Sequence, residues 1–244
     1  MYVDDGARDL GGSHPASSAG VSEALSLDDV QEAQRIGLGP LSFALKRLFD
    51  LISIVVILAL FGWIMVFVAI AVRFSSGPGV IYGHQRVGKD GRLFNCYKFR
   101  SMVANSDQVL KDLLDNSPEA RAEWERDFKL KDDPRITRVG RFIRKTSLDE
   151  LPQLWNVVCG EMSIVGPRPV VQAELDRYYG DAKAHYYSVP PGLTGLWQVS
   201  GRNNLDYDQR VQLDKAYVEN WNVFSDFMIV MRTVKVMVAR DGAY

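Results

Sequence analysis

The feature that most constrains this chain is an uncharged hydrophobic run over residues 51–72. The run holds 22 residues, and a helix of about 20 apolar residues crosses the hydrocarbon core of a bilayer. A buried helix of a soluble protein is rarely apolar on every face. The sequence therefore predicts a membrane helix, which with its flanking residues covers 44–75.

The orientation of this helix stays open. Lys46 and Arg47 precede the run and Arg73 follows it, so the positive charge that marks cytoplasmic flanks does not select one direction. The helix either spans the membrane or enters and leaves by the same face. The second arrangement requires a break near the middle, for which Gly62-Trp63 is the only candidate.

The segments on either side of this helix differ in character. Residues 1–38 are rich in Gly, Ser, Ala and Asp, and we predict that they are disordered apart from a short helix over 26–35. Residues 76–244 carry the remaining periodic segments and form the second predicted domain. The net charge of −1 gives no attraction toward nucleic acid.

A β-hairpin is predicted after the membrane helix. Strand-like runs at 80–87 and 92–99 flank the turn dipeptide Asp90-Gly91, which is a strong hairpin signal. The octapeptide 83–90 nearly matches a phosphate-binding P-loop, but Asp90 stands where a Ser or Thr would hold magnesium, and a strand follows instead of a helix. We therefore exclude a P-loop NTPase.

Helical periodicity dominates the rest of the chain. The predicted helices lie at 104–130, 135–145, 147–158, 172–179, 209–220 and 224–238. The second is basic and amphipathic, which suits a membrane surface, and the last either lies on the membrane or closes the core. The predicted fold class is α+β and mostly helical, with an N-terminal membrane helix that is re-entrant or spanning, a small β-hairpin and amphipathic interfacial helices.

Cysteine and histidine suggest neither a disulfide framework nor a zinc site. Cys96 and Cys159 are far apart, and the three histidines are scattered. We therefore expect a reduced, cytoplasmic catalytic body.

The pair Asp149-Glu150 admits two interpretations. Ser147 and Glu150 have the spacing of a helix capping box, in which the carboxylate only caps the helix. Alternatively, one carboxylate binds a metal and the other attacks a phosphorus, forming an acyl phosphate that splits one transfer into two. Cations elsewhere in the sequence favour the second interpretation, because Arg and Lys bind phosphate oxygens. The candidate phosphate-binding residues are Lys98, Arg100, Arg144, Arg168 and Arg202.

The sequence resembles the bacterial sugar transferases, also called polyprenyl-phosphate hexose-1-phosphate transferases, over roughly residues 44–244. The resemblance is to the small monotopic forms that initiate exopolysaccharide synthesis. The motifs that carry it lie at 46–50, 97–102, 132–135, 147–154, 160–169, 191–203 and 240–244.

The resemblance implies the chemistry of the site. Asp149 would be the nucleophile, Glu150 together with Asp149 would hold Mg²⁺, and Arg168 and Arg144 would bind phosphate. The enzyme would transfer a hexose 1-phosphate, galactose first and glucose next, from a UDP-sugar to undecaprenyl phosphate and release UMP. The catalytic domain at 76–244 would then lie on the cytoplasmic face of the bacterial inner membrane, in contact with membrane lipids.

Several alternatives stay open at this stage. A membrane-anchored hydrolase could use the same carboxylates with water in place of the lipid, and a non-catalytic scaffold of polysaccharide assembly would need them only as a cap. The family's re-entrant helix is broken at a Ser-Pro pair, where this chain has Gly62-Trp63. The sequence does not define the oligomeric state, and a homodimer is among the states that it allows.

Overall fold

The computed structural model describes residues 27–127, 130–201 and 205–239. Its helices and strands are, in chain order, α1 (Leu27–Ile36), α2 (Pro40–Ser76), β1 (Ile81–Val87), β2 (Leu93–Phe99), α3 (Ser106–Asn116), α4 (Pro118–Asp127), α5 (Arg138–Lys145), α6 (Gln153–Cys159), β3 (Ser163–Val165), α7 (Gln172–Tyr178), α8 (Lys183–Ser188), β4 (Gly192–Thr194), α9 (Leu196–Ser200), α10 (Tyr207–Glu219) and α11 (Val223–Ala239). The mostly helical α+β prediction is confirmed.

The hydrophobic run forms the middle of α2, a continuous helix of 37 residues. At 1.5 Å per residue it is about 55 Å long, and within the described residues it is the one helix whose length and composition would allow it to cross a membrane. The helix continues through Gly62-Trp63 without the break that a sharp re-entrant turn would require. Trp63 is 62% exposed and Phe67 65% exposed, so the middle of the helix presents apolar side chains outward.

Both ends of α2 pack against the same body. Near the start, Lys46 and Ile54 are buried, and near the end Val72 and Ser76 are buried. Val72 belongs to a small cluster with Phe99 of β2. The body therefore contacts α2 over most of its length, and the exposed apolar face lies on the opposite side.

A buried ionic network fixes the first turns of α2. The Lys46 ammonium lies 2.9 Å from the Asp226 carboxylate of α11, and both side chains are almost fully inaccessible. Tyr217 and Trp221 also donate to that carboxylate. One turn later, Asp50 accepts from the hydroxyl and backbone of β3. Moving either partner of a buried ion pair would leave the other charge buried without compensation. The pair therefore holds α2 firmly to the body.

The N-terminal prediction is partly corrected. Residues 27–36 form α1, and Ala33 is buried against the cluster that contains Tyr186 and Tyr187 of α8. The predicted short helix is therefore present, but the disordered segment predicted to reach residue 38 is too long. The part of that prediction before residue 27 lies outside the described residues.

The hairpin matches its prediction. β1 and β2 pair antiparallel from Ile81 opposite Phe99 to Val87 opposite Leu93. Asp90 adopts a left-handed conformation in the turn (φ 55°), which Asp tolerates better than most residues. Because the strand partner of β1 follows directly, the excluded P-loop geometry is absent from this part of the chain.

A second, two-stranded sheet was not predicted. β3 and β4 pair in parallel, with Ser163 opposite Gly192 and Val165 opposite Thr194. The two backbones approach so closely that a Cβ on Gly192 would lie 2.1 Å from the Gly166 nitrogen. Only glycine therefore fits at position 192. The pairing of β3 with β4 brings together the motifs at 160–169 and 191–203.

The downstream helices follow the predicted positions with two refinements. The segment 104–130 contains two helices, α3 and α4, divided before Pro118, which cannot continue a helix from the preceding turn. In α11, Ile229 is buried in the core while Phe224 is exposed. The helix therefore closes the core, and its contact with a membrane surface stays a prediction.

Candidate active site at the Asp149-Glu150 turn

The two candidate carboxylates lie in a 3₁₀ turn, Leu148–Glu150, between α5 and α6. Ser147 before it is left-handed (φ 56°), and its side chain caps no backbone group. The capping-box interpretation therefore fails, because α6 begins only at Gln153. A left-handed non-glycine residue costs roughly 1–2 kcal/mol, and such strain is often found where function requires a special geometry.

Glu150 pairs with the lysine of the hairpin. The Lys98 ammonium lies 2.6 Å from Glu150 Oε1, and each side chain is 31% exposed. The predicted cation of β2 and the predicted carboxylate turn are thus brought together from positions 52 residues apart. Because the pair is reachable from solvent, a phosphate oxygen or a cation can compete for either partner.

Asp149 is the most perturbed carboxyl of this turn. Burial first, and then the charge of Glu150, raise the pKa of Asp149 to about 6, against the opposing effect of Lys98 and Arg144. At neutral pH the group is mostly ionised but more basic than an ordinary aspartate. This combination suits a nucleophile, and perturbed groups of this kind are concentrated at functional sites.

Arg144 is positioned by close packing of α5. A Cβ on Gly140 would lie 1.9 Å from the carbonyl oxygen of Ser101, so only glycine allows α5 to approach the chain after β2. Arg144 is exposed, and its Nε donates to the Ser101 hydroxyl at 2.8 Å. The guanidinium is therefore steadied beside Asp149 with its remaining donors available.

The motif at 132–135 has a supporting role. Arg135 donates three hydrogen bonds to the Asp133 carboxylate with its side chain, at 2.7–3.1 Å, and both residues are buried. The backbone of Arg135 accepts from Val103, and Thr137 donates to Ser101. This buried pair holds the strand-like segment on which α5 rests.

Arg168 stands in a second group of cations. It is exposed, with its guanidinium carbon 5.9 Å from the Trp197 ring, and Arg210 approaches the same ring at 4.9 Å. The buried thiol of Cys96, whose pKa is raised to about 11 chiefly by burial, is acted on by the charges of Lys98, Glu150 and Arg168. The charges of Lys98, Glu150 and Arg168 therefore all lie close enough to Cys96 to affect its ionisation.

One predicted cation, Arg100, is engaged at the base of the hairpin. Arg100 donates to the carbonyl of Pro78 at 2.6 Å and lies over Gly79, where it closes the base of the hairpin. Its predicted contact with phosphate stays a prediction. Arg202 lies outside the described residues.

Sequence reasoning missed Asn156, which connects α6 to the hairpin. Its side-chain oxygen accepts from the Tyr97 amide, and its nitrogen donates to the carbonyl of Asn95 and to Glu161. The Asn156 side chain thus forms hydrogen bonds with backbone groups of β2, which ties α6 to this strand. These bonds hold Lys98 in place relative to the carboxylate turn. No local pattern in the sequence marks Asn156 as inward-facing, because a polar residue in a short helix is ordinarily expected at the surface.

The carboxylates fit a magnesium site of the substrate-sharing kind. Within residues 27–127, 130–201 and 205–239, no three His, Cys, Asp or Glu side chains form a cluster that could enclose a metal. Magnesium is usually bound through one or two carboxylates together with substrate phosphates and water. Asp149 and Glu150 supply such a donor set.

Comparison with known proteins adds independent findings. The family profile described as bacterial sugar transferase matches residues 41–240. An undecaprenyl-phosphate galactose phosphotransferase of Salmonella typhimurium is 60% identical over 200 residues, which are 82% of this chain and 42% of that protein. A UDP-galactose-lipid carrier transferase of Erwinia amylovora is 58% identical over 200 residues, with the same two shares.

A shorter relative matches over nearly its whole length. The exopolysaccharide production protein ExoY of Rhizobium meliloti is 46% identical over 205 residues, which are 84% of this chain and 90% of that protein. This chain therefore spans less than half of the Salmonella and Erwinia relatives but most of the Rhizobium one. With the profile matching most of its length, the chain belongs to the bacterial sugar transferase family.

Proposed function

We propose that this protein transfers a hexose 1-phosphate from a UDP-sugar to undecaprenyl phosphate and thereby starts the assembly of an exopolysaccharide. The observation that carries the proposal is the Asp149-Glu150 turn, which is strained at Ser147, paired with Lys98 and faced by Arg144. Family membership and the names of the relatives support the same reaction.

In the first step, an Asp149 carboxylate oxygen attacks the phosphorus that carries the sugar. The new O–P bond forms as the bond to the oxygen of the nucleoside monophosphate breaks, and the electron pair leaves with UMP. The elevated pKa of Asp149 makes its oxygen a better nucleophile while leaving it ionised near neutrality. Arg144 and Lys98 balance the negative charge that accumulates on the phosphoryl oxygens.

In the second step, an oxygen of the lipid phosphate attacks the same phosphorus. The acyl phosphate bond to Asp149 breaks, and the carboxylate is restored as the lipid diphosphate sugar leaves. Arg168 is exposed near Trp197 and is the candidate for binding the phosphate that is distant from the reacting atom. No net proton transfer is needed between two phosphate esters, which agrees with the lack of a histidine at this turn.

Mg²⁺ is part of the proposal. Glu150, assisted by Asp149, would hold it through carboxylate oxygens. When bound, the ion supplies positive charge that neutralises the pyrophosphate of the donor. Glu150 is paired with Lys98 at 2.6 Å, so the lysine orients this carboxylate at the turn.

We propose galactose as the transferred sugar and glucose as the next candidate. Two of the relatives carry galactose in their names, and each is closely similar over the catalytic region. Donor preference is measured directly, by comparing UDP-galactose with UDP-glucose in the transfer assay.

We further propose that the unbroken helix α2 lies along the cytoplasmic leaflet of the inner membrane, with its exposed apolar face in the hydrocarbon, and does not cross the bilayer. Both ends of α2 pack on one body, while its middle exposes Trp63 and Phe67. A helix that crossed the bilayer could not keep those contacts unless the body crossed too. Epitope tags at the two chain ends should therefore both be accessible from the cytoplasmic side of inverted vesicles. Tags on opposite sides would contradict this arrangement.

The reaction is tested by incubating membranes that contain the protein with radiolabelled UDP-galactose, Mg²⁺ and undecaprenyl phosphate. We expect label in the organic phase with the unmodified protein and none with Asp149→Asn, because an amide does not form the acyl phosphate. UDP-glucose is the second donor to try. Release of free sugar phosphate without lipid labelling would favour the hydrolase, and retention of activity by Asp149→Asn would contradict the nucleophile.

A further inference from the structure

A cavity of about 520 Å³ opens between α2 and the body. The wall formed by α2 includes Ile54, Leu58, Met65 and Ala69, and every residue that lines the cavity is apolar, aromatic or proline. Its volume lies in the range of sites that bind small organic ligands. The catalytic chemistry described above uses none of these side chains.

The opposite wall belongs to the elements that carry the candidate active site. Tyr97 and Phe99 line the cavity and flank Lys98 in β2. Pro152 also lines it, two residues after Glu150. The apolar cavity and the cationic site are therefore built from the same strand and the same turn. Tyr97 and Phe99 share one face of β2 and Lys98 leaves by the other, but the Lys98 ammonium reaches Glu150 at 2.6 Å. An occupant whose anionic head lies at the turn beside Pro152 therefore meets this ion pair.

The open side of the cavity faces the apolar surface of α2. Leu58 and Val66 line the cavity and are themselves exposed, and Trp155 on the body side is 61% exposed. An exposed apolar rim of this kind is unfavourable in water but matches hydrocarbon. The occupant therefore enters from the membrane and not from the aqueous side.

We infer that this cavity binds the first isoprene units of the acceptor lipid, with the lipid phosphate held beside Lys98 and Arg144. The inference rests on the proposed function, because it identifies the part of the chain that recognises the acceptor. The argument is chemical complementarity: the occupant is a branched, unsaturated hydrocarbon with a phosphate at one end, and the cavity is wholly apolar with a cationic site at one end. The remainder of a long polyprenyl chain continues along α2 into the leaflet.

The test compares one substitution at two positions of the same helix. Ala69 lines the cavity, whereas Ala59 is exposed and is not among the lining residues. Ala69→Trp fills the cavity, and Ala59→Trp adds the same indole on the lipid-facing side. Val158→Trp, from the opposite wall, is a second way to fill the same space. Thermal unfolding is measured for all variants, so that a folding defect is recognised.

Equilibrium binding of dimethylallyl phosphate and farnesyl phosphate is measured on detergent-purified protein. We expect the unmodified protein and Ala59→Trp to bind farnesyl phosphate at least tenfold more tightly than dimethylallyl phosphate. This gain should be lost in Ala69→Trp and Val158→Trp, while dimethylallyl phosphate binds equally to all four proteins. Persistence of the gain in both cavity variants would overturn the inference, as would equally effective competition by a diacyl phosphatidic acid.

Failure of this inference is distinguishable from failure of the proposed reaction. Binding is read without turnover, so a chain-length effect that depends on Ala69 would stand even if no sugar phosphate were transferred. In the active protein, Ala69→Trp should raise the KM for undecaprenyl phosphate at least tenfold. The release of UMP from the donor in the absence of lipid should stay unchanged.

Discussion

Replacement of Asp149 by asparagine should abolish activity and stabilise the fold. Each pKa unit corresponds to about 1.4 kcal/mol, so the rise from 3.8 to about 6 equals about 3 kcal/mol of penalty for the ionised folded state. Since the carboxyl is partly exposed, solvent screening reduces this, and we expect a gain of about 2 kcal/mol. For a chain of this size that is a rise in Tm of about 4–8 °C.

The sign of the pH dependence follows from the direction of the shift. The unfolded carboxyl ionises around the ordinary value of 3.8, and the folded one only near 6. Stability contributed by the neutral group is therefore present below 3.8 and is lost as the pH rises through about 6. The advantage of Asp149→Asn should be full above pH 7, about half as large at pH 5, and absent below pH 4.

The assay is thermal unfolding of the detergent-purified proteins at several pH values. Asp107→Asn is the control, because Asp107 is an exposed acid in the first turn of α3 and its loss should leave Tm unchanged or slightly lower. An Asp149→Asn protein that is no more stable than the unmodified one at pH 8 would refute the reasoning. An advantage that is equal at every pH would show that it arises from something other than charge burial.

Other substitutions test the supports of the site. Lys98→Met should lower kcat on the order of a hundredfold and move the acidic limb of the pH–rate profile upward, because this lysine lowers the pKa of the nucleophile; an unmoved limb would contradict its role. Ser147→Gly should raise stability by roughly 1 kcal/mol by relieving the left-handed strain, measured by thermal unfolding. Gly140→Ala should reduce transfer activity, because its Cβ meets the Ser101 carbonyl and displaces α5; unchanged activity would mean that α5 can shift freely. Lys46→Met should cost about 3–5 kcal/mol in unfolding free energy, since it leaves a buried carboxylate unpaired.

The long apolar helix, the hairpin and the carboxylate turn could be predicted because each has a local signal. A charge-free run, a turn dipeptide between two strands and an acidic pair followed by a helical period are visible within a few residues. The sequence predicted that cations would lie near the carboxylate pair, but it did not predict that Lys98 would contact Glu150. The 2.6 Å contact arises from the packing of β2 against α6, which no local pattern encodes.

The features that escaped prediction depend on contacts between distant residues. β3 and β4 have three residues each, too few for a period to appear, and their pairing depends on glycines that meet across the sheet. Ser147 has no residue type that signals a left-handed conformation, so the helix was predicted to begin there. Lys46 was recognised as part of a motif, but its carboxylate partner lies 180 residues away.

The most direct test of the central claim is to trap the proposed covalent intermediate. The purified protein is incubated with UDP-galactose and Mg²⁺ in the absence of lipid, quenched with acid and digested, and its peptides are analysed by mass spectrometry. We predict a hexose phosphate adduct on Asp149, released by hydroxylamine and discharged when undecaprenyl phosphate is added before the quench. Transfer to the lipid without any adduct on Asp149, or an adduct on a different residue, would contradict the account.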